Sequence, residues 1–469
     1  MKIGSNKKIT ATLGGSTDFS VENKSGFIDL LADPRGCFKR LSFPDFYILL
    51  NLYLIPNVML GFINPRWFYT GVFDYQLFAF ALTLPLLYFR GSRKFFALPG
   101  ASFLILLCVF VVFQAFRSYV FLRIPAQEII SCMRYNIWSP LMGFCIIYAM
   151  SGRTREQLNN LTAIVIWLFV VQIFLASLST FTTYDFFLSK RVKDIDFVLS
   201  LDGVRGNTTV YPKSVVLLTA VLVLVSCIRR EQKWFWFSCM AVAMPLLYTM
   251  RSLTVRTIVS AFVAFSLFNV LIKQTFGRVV LVFSLLMVAW AVTPIIMPEY
   301  YDKVVHKFRL TDDIEEFISI NNYQFRRDLI EQAQLSTQAA GNSLIGVGYQ
   351  RDYDVTKREG YSYVLGSDAP LATILFCEGY LGVCLRIFPY VAFLAFAIGV
   401  LFKTARLYTR FMAIVVIATL AAEAVGWVQT HLLTQYVIYY VVLALLYFAT
   451  IDDGGKTESQ RKPKIGRGA

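Results

Sequence analysis

The stretch Leu98-Pro-Gly-Ala-Ser-Phe-Leu-Ile-Leu-Leu-Cys-Val-Phe-Val-Val-Phe-Gln-Ala-Phe116 carries no charged side chain. Its apolar residues show neither the alternation of a half-buried strand nor the polar face of an amphipathic surface helix. Wound as a helix, such a stretch covers roughly 30 Å, the hydrocarbon thickness of a bilayer. In hydrocarbon every backbone N–H and C=O must be satisfied inside the protein, which leaves helices or closed barrels. The apolar blocks of this chain run to about 16–22 residues, helix length and not barrel-strand length. The expected fold class is therefore an all-α integral membrane protein.

The same reading along the chain gives Phe46–Phe62, Tyr75–Phe89, Leu98–Phe116, Ile137–Met150, Leu161–Thr180, Ser214–Ile228, Trp234–Met250, Thr257–Ile272, Val279–Ile296, Leu381–Phe402, Phe411–Trp427 and Leu433–Ala449. That is about twelve spans. Composition agrees: 57% of the 469 residues are hydrophobic, only 16% are charged, and the mean hydropathy is +0.57. A soluble domain is usually about 25% charged. The polar, basic segment Met1–Ser42 has no apolar run and reads as a cytoplasmic tail rather than a signal peptide. The membrane domain then covers residues 46–450, with a second tail over 451–469.

Charge sets the expected orientation. The short basic loops at Arg90–Lys94, Ser151–Arg155, Arg229–Lys233, Lys273–Arg278 and Lys403–Arg410, with the basic C-terminal tail, all fall on one side when the spans are counted in order. The positive-inside rule makes that side the cytoplasm. The opposite side holds two long loops, residues 181–213 and 297–369, beyond ordinary connector length. Asp313–Ser336 within the second has helical character. Tyr300, Tyr301, Tyr323, Tyr349, Tyr353, Tyr361 and Tyr363 are scattered through that loop. Such rings stack on sugars, anchor at interfaces or simply pack.

Eight cysteines form no CxxC pair and read as small buried hydrophobes. Two histidines, His306 and His431, are too few for a histidine metal site. No metal, cofactor or nucleic-acid partner is expected. The informative charges run against the orientation rule: Arg205, Lys213, Arg251, Arg256, Arg326 and Arg327 lie in or beside the outer loops. Arg251-Ser-Leu-Thr-Val-Arg256 reads as a very short connection between two spans, setting two guanidiniums at the membrane edge. Such arginines are costly without a partner and mark functional sites. Their forks suit phosphate oxygens. Snorkelling to lipid head groups, or pairing with a carboxylate, is the plain alternative. Glu378, Glu423 and Gln429 also fall in apolar stretches, where they could bond across helices or face a cavity.

Several segments together resemble the O-antigen polymerase and ligase superfamily of bacterial inner membranes. Val204-Arg205-Gly206-Asn207…Tyr211-Pro212-Lys213-Ser214 is similar to that family's Arg-x-x-Gly…Asn/His-Pro-Asn entry to a helix. Thr254-Val255-Arg256-Thr257 resembles its Ser-Arg-(Thr/Gly) motif. Arg326-Arg327 followed by Leu344-Ile-Gly346-Val-Gly348 resembles its Arg…Leu-x-Gly-x-Gly stretch. Ser367-Asp368-Ala369-Pro-Leu371…Glu378-Gly379-Tyr-Leu-Gly382 is similar to the segment that closes the large loop. The family's asparagine is Ala369 here, and Asp368 stands where ligases carry histidine, a form closer to polymerases.

The resemblance implies a glycosyltransferase that uses no nucleotide sugar. It would join oligosaccharide repeat units carried on undecaprenyl diphosphate, transferring the growing chain to a hydroxyl of an incoming unit. A chain-length regulator is the implied protein partner. Fixed cations aimed at a departing pyrophosphate favour the transition state. Arg256, Arg327 and Arg205 are the expected groups, with Lys213, Arg251 and Arg326 beside them. Asp368 is the expected base or acceptor-orienting group, and is equally suited to cap the following helix. Gly346 and Gly348 permit a tight turn, with a phosphate cradle as the functional alternative. Competing readings are a ligase, a transporter of lipid-linked oligosaccharide, for which internal repeats are missing, and a scaffold.

Overall fold

The computed structural model describes residues 33–54, 81–129, 137–181, 215–229, 231–247, 251–273, 322–349, 370–403, 407–425 and 437–450, with a few isolated positions besides. The described residues form helices joined by turns, with no strand among them. In chain order the helices are α1 (Pro34–Lys39), α2 (Phe43–Leu54), α3 (Lys94–Ala97), α4 (Ala101–Val120), α5 (Trp138–Ser151), α6 (Arg155–Phe181), α7 (Val215–Arg229), α8 (Gln232–Leu247), α9 (Arg251–Leu267), α10 (Asn322–Ala339), α11 (Pro370–Lys403), α12 (Leu407–Val425) and α13 (Val437–Thr450). Among the described residues, three helical stretches are long and apolar enough to cross a membrane: Ala101–Val120, Leu253–Ile272 and Leu371–Lys403.

These helices are apolar on all faces, as a helix between core and lipid must be. On α4 the buried face is Leu104, Leu107, Val111, Gln114 and Ser118. The opposite face exposes Leu106, Val109, Val112, Phe113, Phe116 and Tyr119. Helix α12 packs on α7, α9, α11 and α13, and α4 and α10 both pack on α11. Bonds at both ends fix the directions of the helices. Ser260 Oγ donates to Val216 O (2.7 Å) and Lys273 Nζ to Cys227 O (2.9 Å), so α7 and α9 run parallel. The Gly100 end of α4 sits against Pro389 and its Gln114 end against the loop beside Cys377, so α4 and α11 run antiparallel.

Some expected elements differ. Arg251–Arg256 is not a connection but the opening turns of α9, because Leu253, Thr254, Arg256, Thr257, Ser260 and Ala264 share one buried helical face. In the stretch expected to span from Tyr75 to Phe89, residues 75–80 lie outside the described residues. Leu84–Tyr88 is a 3₁₀ turn with Pro85 in its first turn. The helix foreseen at Asp313–Ser336 is seen at Asn322–Ala339, with residues 313–321 outside the described residues.

Candidate functional site

Two ion pairs with both side chains buried stand out among the described residues, and burying charge is expensive unless it is matched. In the first, Arg386 Nε donates to Glu378 Oε2 (2.8 Å), Arg386 Nη2 donates to Glu378 Oε1, and Tyr349 Oη donates to Oε1 (2.6 Å). All three residues are buried. Glu378 and Arg386 lie two turns apart on α11, too far for side chains of a regular helix. The break at Gly379 (φ 67°, ψ −167°) turns Glu378 back along the helix. Gly382 leaves it room, since a Cβ there would stand 2.2 Å from the Glu378 Cβ. Glu378-Gly379-Tyr-Leu-Gly382 is thus one device for folding a carboxylate onto an arginine below it.

A broken helix orphans backbone groups on both sides of the break. Here a loop from the end of α10 supplies four partners. Val347 N–H donates to Phe376 O (2.8 Å) and Gly348 N–H to Cys377 O (3.0 Å). In return Tyr380 N–H donates to Ser343 O (3.0 Å) and Leu381 N–H to Leu344 O (2.9 Å). Helix α4 completes the clip: Arg117 Nη1 donates to Ile345 O (3.3 Å) and Gly346 O (3.1 Å), and Gln114 Nε2 to Ile345 O. The two backbones meet so closely that a Cβ on Gly346 would lie 2.5 Å from Cys377 C, and one on Gly379 2.4 Å from Gly346 N.

Both glycines also hold positive φ. Gly346→Ala and Gly379→Ala should each cost about 3 kcal/mol or more in unfolding measurements, since strain and backbone overlap add. Gly399→Ala, with nothing within 4 Å in mid-helix, should be neutral or gain about 0.5–1 kcal/mol.

The second pair joins α9 to α12: Arg256 Nη1 lies 2.9 Å from Glu423 Oε2, with both side chains buried. Thr257 bonds Leu253 O within α9, while Thr219 of α7 and Thr419 of α12 are buried with no hydrogen-bond partner for their hydroxyls. Tyr390 on α11 lies within electrostatic range of both Glu423 and Arg386. Its ring meets Tyr440 edge-on, with centroids 5.7 Å apart. Arg256 from Lys273, and Arg386 from Lys403, stand about 25 Å along their helices at 1.5 Å per residue; Glu423 stands about 20 Å from Arg410. Arg256 and Glu423 thus lie near the ends of α9 and α12 opposite their basic tips, while Arg386 lies at the middle of the longer α11.

Of the residues singled out in the sequence, Arg256, Gly346 and Gly348 are fully described. Arg327 is exposed on α10, the helix that packs on α11. Arg251 and Arg326 are placed in their helices by backbone, Arg251 opening α9. Arg205, Lys213 and Asp368 lie outside the described residues; Lys213 precedes α7 by two positions. The amides of Gly346, Val347, Gly348 and Tyr349 bond to Asn342 O, Phe376 O, Cys377 O and Ser118 Oγ. As folded, that turn offers none of them to a phosphate. Tyr349, counted among the loop tyrosines, is wholly buried under Glu378.

Arg386 and Arg117 escaped the sequence reading because each falls inside an apolar run; an arginine in such a run was itself the missed signal. Among the described residues no group of three His, Cys, Asp or Glu could hold a metal ion. No family model, curated protein or solved structure matches this chain.

Proposed function

We propose that this chain is a multi-pass protein of a bacterial inner membrane, with about twelve spans and both termini cytoplasmic, that polymerises oligosaccharide repeat units carried on undecaprenyl diphosphate. One observation carries the reading. Two of the segments that carry the family resemblance, Leu344–Gly348 and Glu378–Gly382, lie about thirty residues apart yet close on each other as a single hydrogen-bonded unit beside the buried Arg386.

In this reading the lipid places its diphosphate at the end of the bundle opposite the basic tips. Arg256, held as a fork by Glu423, and Arg327, with Arg205, Lys213, Arg251 and Arg326 beside them, meet the charge that builds as the glycosidic bond breaks. Asp368, two residues ahead of α11, takes the proton of the acceptor hydroxyl. Gly346 and Gly348 serve by shaping the clip.

A transporter of lipid-linked oligosaccharide is the second reading, favoured by the discontinuous helix at Gly379, since such breaks line substrate sites in carriers. Here the break is filled by protein backbone. Protein purified into liposomes and given a lipid-pyrophosphate repeat unit alone should build a ladder of longer glycans. A competent substrate that stays a single unit would reject the polymerase.

A further inference from the structure

We propose that Ser343–Tyr349 is not a water-exposed loop but a re-entrant segment seated at the bilayer boundary, with the Leu344 side chain in contact with lipid acyl chains. The inference rests on the membrane reading above and goes beyond it by assigning this segment a lipid partner. Depth is the first argument. The loop bonds to α4 through Gln114 and Arg117, which lie about 9 and 5 Å inside the last residue of that membrane-length helix. At the level of these two residues the exterior of α4 is apolar: Phe113, Phe116, Tyr119 and Val120 are exposed there, and Phe121 and Leu122 continue the apolar surface past the helix end.

The second argument is hydrogen bonding. Irregular backbone is tolerated at membrane depth only where the protein satisfies it. The amides of residues 346–349 and the carbonyls of residues 343–346 all bond to protein groups. A loop facing water has no need of so many protein partners. The third is the tip itself: Leu344 is 65% exposed while Gly346, Gly348 and Tyr349 of the same turn are buried. An exposed leucine on a turn whose carbonyls at 343–346 are all bonded suits an acyl chain.

The test places a nitroxide at Leu344→Cys and, separately, at Val112→Cys on the exposed face of α4, in the full chain reconstituted in liposomes. The unsubstituted chain supplies the background signal. Collision with lipids carrying a second nitroxide near the head group is compared with collision with a water-soluble nickel chelate. The Leu344 label should favour lipid over chelate at least about fivefold relative to free label in buffer, and lie within about twofold of the Val112 label. A lipid-facing Val112 label with a water-facing Leu344 label overturns this inference and leaves the membrane reading standing. Water-facing labels at both positions overturn the two together.

Discussion

Arg386→Ala should destabilise the protein by about 3–5 kcal/mol, because it leaves the Glu378 carboxylate buried without its partner. Glu378→Ala should cost as much, stranding both the guanidinium and the Tyr349 hydroxyl. The double variant Glu378→Gln with Arg386→Met should recover most of either loss. It removes both charges at similar volume and keeps an acceptor for Tyr349, and neutral replacements of buried pairs are often nearly free. Reversible unfolding in detergent micelles gives the three values. Single variants within about 0.5 kcal/mol of the parent would show that the pair does not hold the clip.

The largest effect on activity is expected at Arg256. Arg256→Ala should abolish the glycan ladder and also lose about 3–5 kcal/mol of stability, since Glu423 is left alone in the bundle. Arg256→Lys separates the two roles. A lysine keeps the positive charge near Glu423, so unfolding should change by little more than about 1 kcal/mol. It cannot present two parallel donors to a phosphate, so the ladder should slow by at least about 100-fold, the scale of losing one preorganised donor. A fully active, fully stable Arg256→Lys would confine Arg256 to holding α9 against α12.

The helical class was readable from the apolar blocks, because long helices that are apolar all round advertise themselves through composition. Ala101–Val120 falls three and four residues from its expected edges at Leu98 and Phe116. What escaped was the geometry at charges. Glu378 was noticed as an acid in an apolar run, but its bond to Arg386 depends on a helix break that no periodicity reveals. The break needs a positive φ at Gly379 and a partner loop about thirty residues away, and pairing at that distance is a tertiary fact. Arg251–Arg256 reads as a connection in the sequence because two arginines at a membrane edge look like a loop; burial of the face that Arg256 shares with Leu253 and Thr257 makes it helix. The Leu-x-Gly-x-Gly stretch was visible as a turn, and its role as the complement of a broken helix was not.

The most direct test of a diphosphate-leaving reaction is the release of undecaprenyl diphosphate by reconstituted protein given the lipid-linked repeat unit and nothing else. One lipid diphosphate should appear for each glycosidic bond formed, and Arg256→Lys should suppress both products together while the protein stays folded. Substrate recovered intact, whether left in place or moved to the other leaflet, would contradict the account.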